Sequence, residues 1–174
     1  MVKLDVPYRS QWDPDGGVYT SDCGPTCVGM ILRFYGREAT INQLAAEAGM
    51  SEVRRLTSPD DLARAAALHG VALVHKMSAS LQDIEAELVA GRPVIALIHY
   101  GSLGSLRQDS YNGGHWLVVI GMDENDVIVN DPDWAYGRRA GGAGLRIPRN
   151  VFEQAMLDCK LDGNMPNQAV FVNL

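Results

Sequence analysis

An α+β fold with a mostly antiparallel sheet is what this sequence predicts, on three observations. Apolar residues recur at helical spacing through most of residues 22–91. From residue 94 onward short apolar runs bounded by turn residues take their place. The two kinds of segment do not alternate regularly, as a parallel sheet with crossover helices would require.

Residues 2–6, Val-Lys-Leu-Asp-Val, alternate as a half-buried strand does and stop at Pro7. A polar loop runs from Tyr8 to Ser21. Within it Asp13-Pro14-Asp15-Gly16-Gly17 is turn chemistry; its carboxylates lack the rest of a calcium-binding loop, so it reads as a solvated turn. The stretch Ser21 to Gly36 then reads as one short helix. Asp22 suits the N-cap, Pro25 the first turn, and Gly36 the left-handed position beyond the end. Cys27, Met30, Ile31, Phe34 and Tyr35 share one face, which drives this helix into a core. Cys23 lies one turn before that stripe, among first-turn N–H groups whose partial positive charge favours thiolate. That placement makes a nucleophile.

Three further helices are punctuated at both ends. Thr40-Ile41-Asn42-Gln43 reads as a capping box with Gly49 as the stop. Ser58-Pro59-Asp60-Asp61 opens the next, which ends at Gly70, and Ser80 with Asp83 frames the third before Gly91. Their apolar stripes carry no ionisable residue, so they read as scaffold. Strands are expected at residues 71–75, 94–100, 115–122, 127–131 and 168–173, with residues 123–126 turning a hairpin. The Gly-rich stretches 101–114 and 137–144 read as surface loops bordering a site.

With 174 residues and 47% hydrophobic content, one domain spanning residues 1–174 is the natural count. No apolar run approaches the ~20 residues of a membrane span, and the amino end has no hydrophobic signal core, so a soluble, unexported, cytoplasmic chain is expected. Three cysteines, an odd number, argue against a disulfide framework. Cys23 and Cys27 are poorly disposed to bridge four residues apart on one helix, and Cys27 reads as a buried small hydrophobe. A net charge of −6 with no basic cluster argues against nucleic acid as a partner.

A nucleophilic thiol needs an imidazole to take and return its proton, and the imidazole needs an orienting carboxylate or amide. His69 ends a helix, while His75 and His99 end strands with no acceptor cluster nearby in sequence. His115 differs. It follows the flexible pair Gly113-Gly114 and begins a strand whose hairpin partner carries Asn130-Asp131-Pro132 at its far end.

Hairpin register decides which of those neighbours meets the imidazole. A regular hairpin closed by residues 123–126 pairs Met122 with Val127 and puts Asp131 opposite Val118, on the face away from His115, which favours Asn130. One bulge in either strand shifts the pairing and brings Asp131 to the face of His115.

Gln11, then Asp22-Cys23-Gly24-Pro25-Thr26-Cys27 leading to Phe34-Tyr35-Gly36, then Gly114-His115-Trp116-Leu117-Val118-Val119, then Val127-Ile128-Val129-Asn130-Asp131-Pro132, occur in that order. Together they resemble the papain-like cysteine peptidases that process double-glycine leader peptides of bacteriocins. The resemblance spans roughly Val6 to Pro132. It implies a papain-like fold, a peptide or protein substrate, and no metal or organic cofactor. Position by position it implies Cys23 as nucleophile, His115 as general base and acid, Asp131 as orienter and Gln11 as oxyanion-hole donor. If Asp131 is the orienter, the hairpin must be bulged or odd. Trp12 and Trp116, each beside one of these residues, together with Gly114 are expected to wall the substrate groove, whereas Trp134 reads as core.

Other readings compete. Cys23, Cys27, His115 and Asp131 could form a zinc site, but the paired Cys-x-x-Cys spacing is absent. A cell-wall peptide hydrolase of the phage-lysin type shares the motifs, with the acidic charge and missing signal against it. A non-catalytic peptide-binding module of the same fold is the reading from another class, with the intact Cys23, His115 and Asp131 set against it.

Overall fold

A computed structural model describes residues 1–18, 21–160 and 166–173. Tyr19 and Thr20 of the polar loop, residues 161–165, and the last residue of the chain's expected single domain, 174, lie outside them. Among the described residues five α-helices accompany a seven-stranded, wholly antiparallel sheet. The helices are α1 (Cys23–Phe34), α2 (Ile41–Glu47), α3 (Pro59–Leu68), α4 (Leu81–Val89) and α5 (Arg149–Asp158). The strands are β1 (Val2–Lys3), β2 (Leu73–Lys76), β3 (Val94–His99), β4 (Gly114–Met122), β5 (Asp126–Asn130), β6 (Leu145–Pro148) and β7 (Ala169–Val172). Their order is β2-β7-β3-β4-β5-β6, with β1 paired to β4. This is the expected α+β class.

Helices cover both faces, which is why β3 and β4 are unbroken apolar runs. On one face Cys27, Met30 and Ile31 of α1 pack with Leu62 of α3, Ile95, Leu97, Trp116, Val118 and Ile128. On the other, Ile84 and Leu88 of α4 and Phe152 and Met156 of α5 pack with Ala96, Ile98, Leu117, Val119, Val127 and Val129.

The helix caps explain the helical half. Ser58 and Ser80 each complete a capping box with Asp61 and Asp83. The box at Thr40 is only half made: Thr40 accepts from the Gln43 N–H, but the Gln43 side chain donates to Glu47 instead. Asp22 stands at the N-cap of α1 without a side-chain capping bond; its carboxylate accepts from Gly17 N at 2.8 Å. Asp13 pairs with Arg139 at 2.7 and 2.8 Å, and Asp15 with the buried Arg9, so the Asp13–Gly17 turn is anchored by ion pairs rather than left to solvent.

Two elements escape the sequence reading, β6 and α5. α5 starts directly after Pro148 with no side-chain cap, so it lacks the start signal that marks the others. The stretches 101–114 and 137–144 are not plain surface loops: they carry 3-10 turns at Tyr100–Leu106 and Tyr136–Gly142, and Tyr100, Leu103 and Gly142 are buried. The first strand is shorter than expected because β4 leaves its pleat opposite Leu4, where Leu4 N donates to Ile120 O at 2.7 Å.

That departure is a β-bulge. Met122 pairs with Val127 and Gly121 with Ile128, but the next pairs are Val119 with Val129 and Val118 with Asn130, leaving Ile120 as the extra residue. Gly121 beside it permits β1 to approach, since a Cβ there would meet Val2 O at 2.6 Å. Beyond the bulge the parity of β5 is inverted. Asp131 falls on the face of His115, Leu117 and Val119, and Asn130 on the opposite one.

Candidate active site

The amino end of α1 and the start of β4 meet at one cleft. A cavity of about 280 Å³ is lined by Gln11, Trp12, Cys23, Gly114, His115 and Asp133, among others. An adjoining cavity of about 230 Å³ shares Ser21, Cys23, Leu56, Tyr111 and Gly114 and extends to Leu97, Trp116 and Cys159. The fold therefore brings together at the cleft Cys23, His115, Gln11, Trp12, Gly114 and Trp116.

Cys23 is the first residue of α1, half-buried, and no acidic residue stands in that first turn to compete for its N–H groups. Gly24 lets Thr57 and Trp116 close against the turn: a Cβ would meet Thr57 Oγ1 at 2.4 Å and Trp116 Cδ1 at 3.2 Å. All three cysteines are free. Burial pushes the Cys159 thiol up to about 11 and holds Cys27 well above its ordinary value.

His115 is 3% exposed and Asp131 fully buried. His115 Nε2 and Asp131 Oδ1 are 2.7 Å apart, which leaves Nδ1 outside that pair, and Cys23 lines the same cavity as the ring. Burial alone would favour neutral imidazole, yet the charge and hydrogen bond of Asp131, with a contribution from Cys23, hold its pKa well above the ordinary value. Burial likewise works against ionisation of Asp131, and the His115 charge and its hydrogen-bond donors outweigh it, so its pKa lies below the usual carboxylate value.

Four donors converge on that carboxylate. Besides His115, Oδ1 accepts from Asp133 N at 3.0 Å, and Oδ2 accepts from Tyr100 OH and Trp134 Nε1, each at 3.1 Å. The Tyr100 ring also packs on His115, with centroids 4.5 Å apart. Burial and the Asp131 charge raise the Tyr100 phenol far above its usual pKa, which keeps it a donor. Asn130 is elsewhere: its Nδ2 donates to Val6 O and its Oδ1 accepts from Gly144 N, both at 3.0 Å. Trp134, read as core, is thus a direct partner of Asp131, and Tyr100 was not singled out at all.

Gln11 is held against this loop by a clamp between distant segments. Gln11 N donates to Pro132 O at 2.9 Å, Ser10 Oγ to Trp134 O at 2.7 Å, and Tyr8 OH to Asp131 O at 2.9 Å. The Gln11 side chain donates from Nε2 to Asp133 Oδ1 at 3.1 Å, and Trp12 Nε1 donates to the same oxygen at 3.0 Å. The remaining histidines have other partners: His69 pairs with Glu47, His75 with Gln168 and His99 with Ser102. Among the described residues no group of three or more His, Cys, Asp or Glu is arranged to hold a metal ion, and no helix is long and apolar enough to cross a membrane.

A helix-borne thiol set against an imidazole and a carboxylate from an antiparallel sheet is the layout of the papain-like fold. The chain belongs to the Peptidase_C39 like family, whose model matches residues 3–155. Its fold is similar to that of a protein described as a C39-like peptidase from Bacillus anthracis, with 19% identity, 99% of this chain and 98% of that one covered, and a TM-score of 0.70. The peptidase domain of Streptococcus ComA, a bifunctional ABC transporter involved in quorum sensing, shares 18% identity over 90% of this chain and 93% of its own, at a TM-score of 0.62. A double glycine motif protease from an AMS/PCAT transporter, solved with its leader peptide, shares 17% identity over 99% and 95%, at 0.60. At these identities the likeness is one of fold. No curated protein matches the chain.

Proposed function

We propose that this chain is a cysteine peptidase acting through Cys23, His115 and Asp131, with Gln11 and the backbone N–H of Cys23 as oxyanion donors, and that its substrate is a peptide or protein segment cut after a double-glycine-like pair. The observation that carries the reading is the buried His115, fixed at Nε2 by Asp131 at 2.7 Å, in one cavity with a thiol at a helix amino end. The family is one of peptidases, and a similarly folded protease was solved with a leader peptide, which supports an extended peptide as the ligand.

The chemistry follows from these groups. Cys23 sulfur attacks the peptide carbonyl carbon, and the carbonyl oxygen takes up charge facing the two donors. The C–N bond then breaks as the His115 imidazolium gives its proton to the leaving amine, leaving a thioester on Cys23. Water, deprotonated by the now neutral His115, attacks that thioester, and the thiolate leaves as the acid product departs. Asp131 stabilises the imidazolium at each stage. Trp12, Gly114 and Trp116 border the two cavities and would contact the substrate on either side of the cut.

Alkylation of the folded protein across a pH series, with mass spectrometry reading each cysteine, tests the nucleophile. Cys23 should react near neutral pH well ahead of Cys27 and Cys159, whose burial disfavours thiolate, and His115→Ala should slow it. Equal, slow labelling of all three would exclude the reading. A peptide panel with and without two glycines before the cut then tests the substrate.

A further inference from the structure

Gln11 reaches the cleft with one end of its amide already engaged. Its Nε2 donates to Asp133 Oδ1, which also takes the Trp12 indole N–H, while its Oε1 is buried with no hydrogen-bond partner. Asp133 is itself 5% exposed and lines the same cavity as Cys23 and His115. A glutamine amide has nearly the same shape either way round, so its hydrogen-bond partners decide its orientation. An ionised carboxylate only accepts. It therefore selects the NH2 end for itself, at the expense of an unsatisfied Oε1, and leaves the second Nε2 hydrogen for the cleft. A protonated Asp133 would instead offer an O–H donor, and the amide would satisfy Oε1 by turning over.

We propose that Asp133 is a positioning residue for the reaction: its ionised carboxylate orients the Gln11 amide so that one Nε2 hydrogen faces the developing oxyanion, and its protonation releases that orientation. The proposal rests on the reading of Cys23, His115 and Asp131 given above. The charges that face Asp133 are consistent with such a transition at mildly acid pH. Burial raises its pKa, His115 and the Trp12 hydrogen bond lower it, and the carboxylates of Asp109 and Asp131 raise it, leaving it at about 6. The phenols of Tyr100 and Tyr111 also feel its charge.

The test uses the full chain, a cleaved peptide from the panel, and iodoacetamide as the probe of Cys23. In the wild type kcat should fall as pH drops through about 6. Gln11→Ala should lower kcat ~10- to 100-fold with KM within ~threefold, and should lose that acid limb because Asp133 then has nothing to orient. Asp133→Asn should lower kcat ~10-fold and abolish the limb, yet add no more than ~twofold in the Gln11→Ala background. Cys23 alkylation, which forms no oxyanion, should persist in both variants. An acid limb retained in Gln11→Ala would overturn the proposal, and that result does not depend on Asp133→Asn folding. A loss from Asp133→Asn that is as large without Gln11 as with it would also overturn it. Slow Cys23 alkylation in the wild type would instead sink the peptidase reading itself, so the two failures are distinguishable.

Discussion

Asp131 and Asn130 are adjacent in sequence and lie on opposite faces of the sheet, and exchanging each in turn tests the whole construction of the site. Asp131→Ala would strip the acceptor from His115 Nε2, Asp133 N and Trp134 Nε1, while Tyr100 OH can still accept from Gln108 N. At ~1–3 kcal/mol for each buried donor left unsatisfied, the loss is about 3–9 kcal/mol, a large part of the ~5–15 kcal/mol of a typical domain. Asp131→Asn keeps the shape. Its carbonyl can serve His115 and Asp133 N, which leaves its NH2 against the Trp134 N–H at ~1–3 kcal/mol. With the charge gone, burial acts on His115 against the contribution of Cys23 alone, the imidazolium is disfavoured, and kcat/KM should fall about 100-fold or more. Asn130→Ala removes two hydrogen bonds, to Val6 and from Gly144, and should cost ~1–3 kcal/mol of stability but less than ~threefold in kcat/KM per folded molecule.

The pH dependence of stability follows from the same pair. His115 has a folded pKa above its unfolded value, so its contribution is complete below ~6.5 and fades as pH rises through the folded pKa. Asp131 has a depressed one, so its contribution is complete above ~4 and fades as pH falls. The deficit of Asp131→Asn should therefore be largest between ~4 and ~6.5. Urea unfolding and peptide cleavage, each normalised to the fraction folded, measure both effects. Equal activity losses in Asp131→Asn and Asn130→Ala would refute the reasoning.

Other outcomes are expected. Asp133 carries a folded pKa of about 6 against an ordinary 3.8, so ionising it costs stability as pH rises through that window. Asp133→Asn should accordingly raise the urea midpoint above pH ~6, by at most about 3 kcal/mol in stability, with no gain below pH ~4; a gain independent of pH would refute this. Gly24→Ala should destabilise by ~1–3 kcal/mol in urea, because its Cβ meets Thr57 Oγ1 at 2.4 Å and Leu62 Cδ2 at 2.9 Å; an unchanged midpoint would show the turn can relax. Tyr111 borders both cavities, so Tyr111→Ala should raise KM several-fold and leave the rate of Cys23 alkylation intact; slowed alkylation would place Tyr111 in the chemistry instead.

What could be read beforehand was local. Ser58 with Asp61 and Ser80 with Asp83 announce their helices within four residues, whereas α5, entered from Pro148 without a cap, announces nothing. Cys23 and His115 stand out because a helix start and a Gly-Gly strand start are visible in single stretches. Tyr100, Asp133 and Trp134 act across a fold that joins residues 8–12 to residues 131–134, and no short-range pattern connects those segments. Parity arithmetic went further than pattern. It required an odd closure or a bulge if Asp131 was to meet His115, and Ile120 supplies the bulge.

That single extra residue makes the identity of the orienting group a question of counting. Were Ile120 to pair with Val129 instead of bulging, with no residue gained or lost, a regular ladder would result, Asp131 would move opposite Val118 to the side of Val6, and His115 would be offered the amide of Asn130. Papain-like enzymes can employ an amide there as well as a carboxylate. The Asn-Asp doublet thus holds both solutions in adjacent positions, and a one-residue slip of register at Ile120 would be the step between them. Comparisons of related hairpins that align residues by type and overlook a bulge would assign the role to the wrong neighbour.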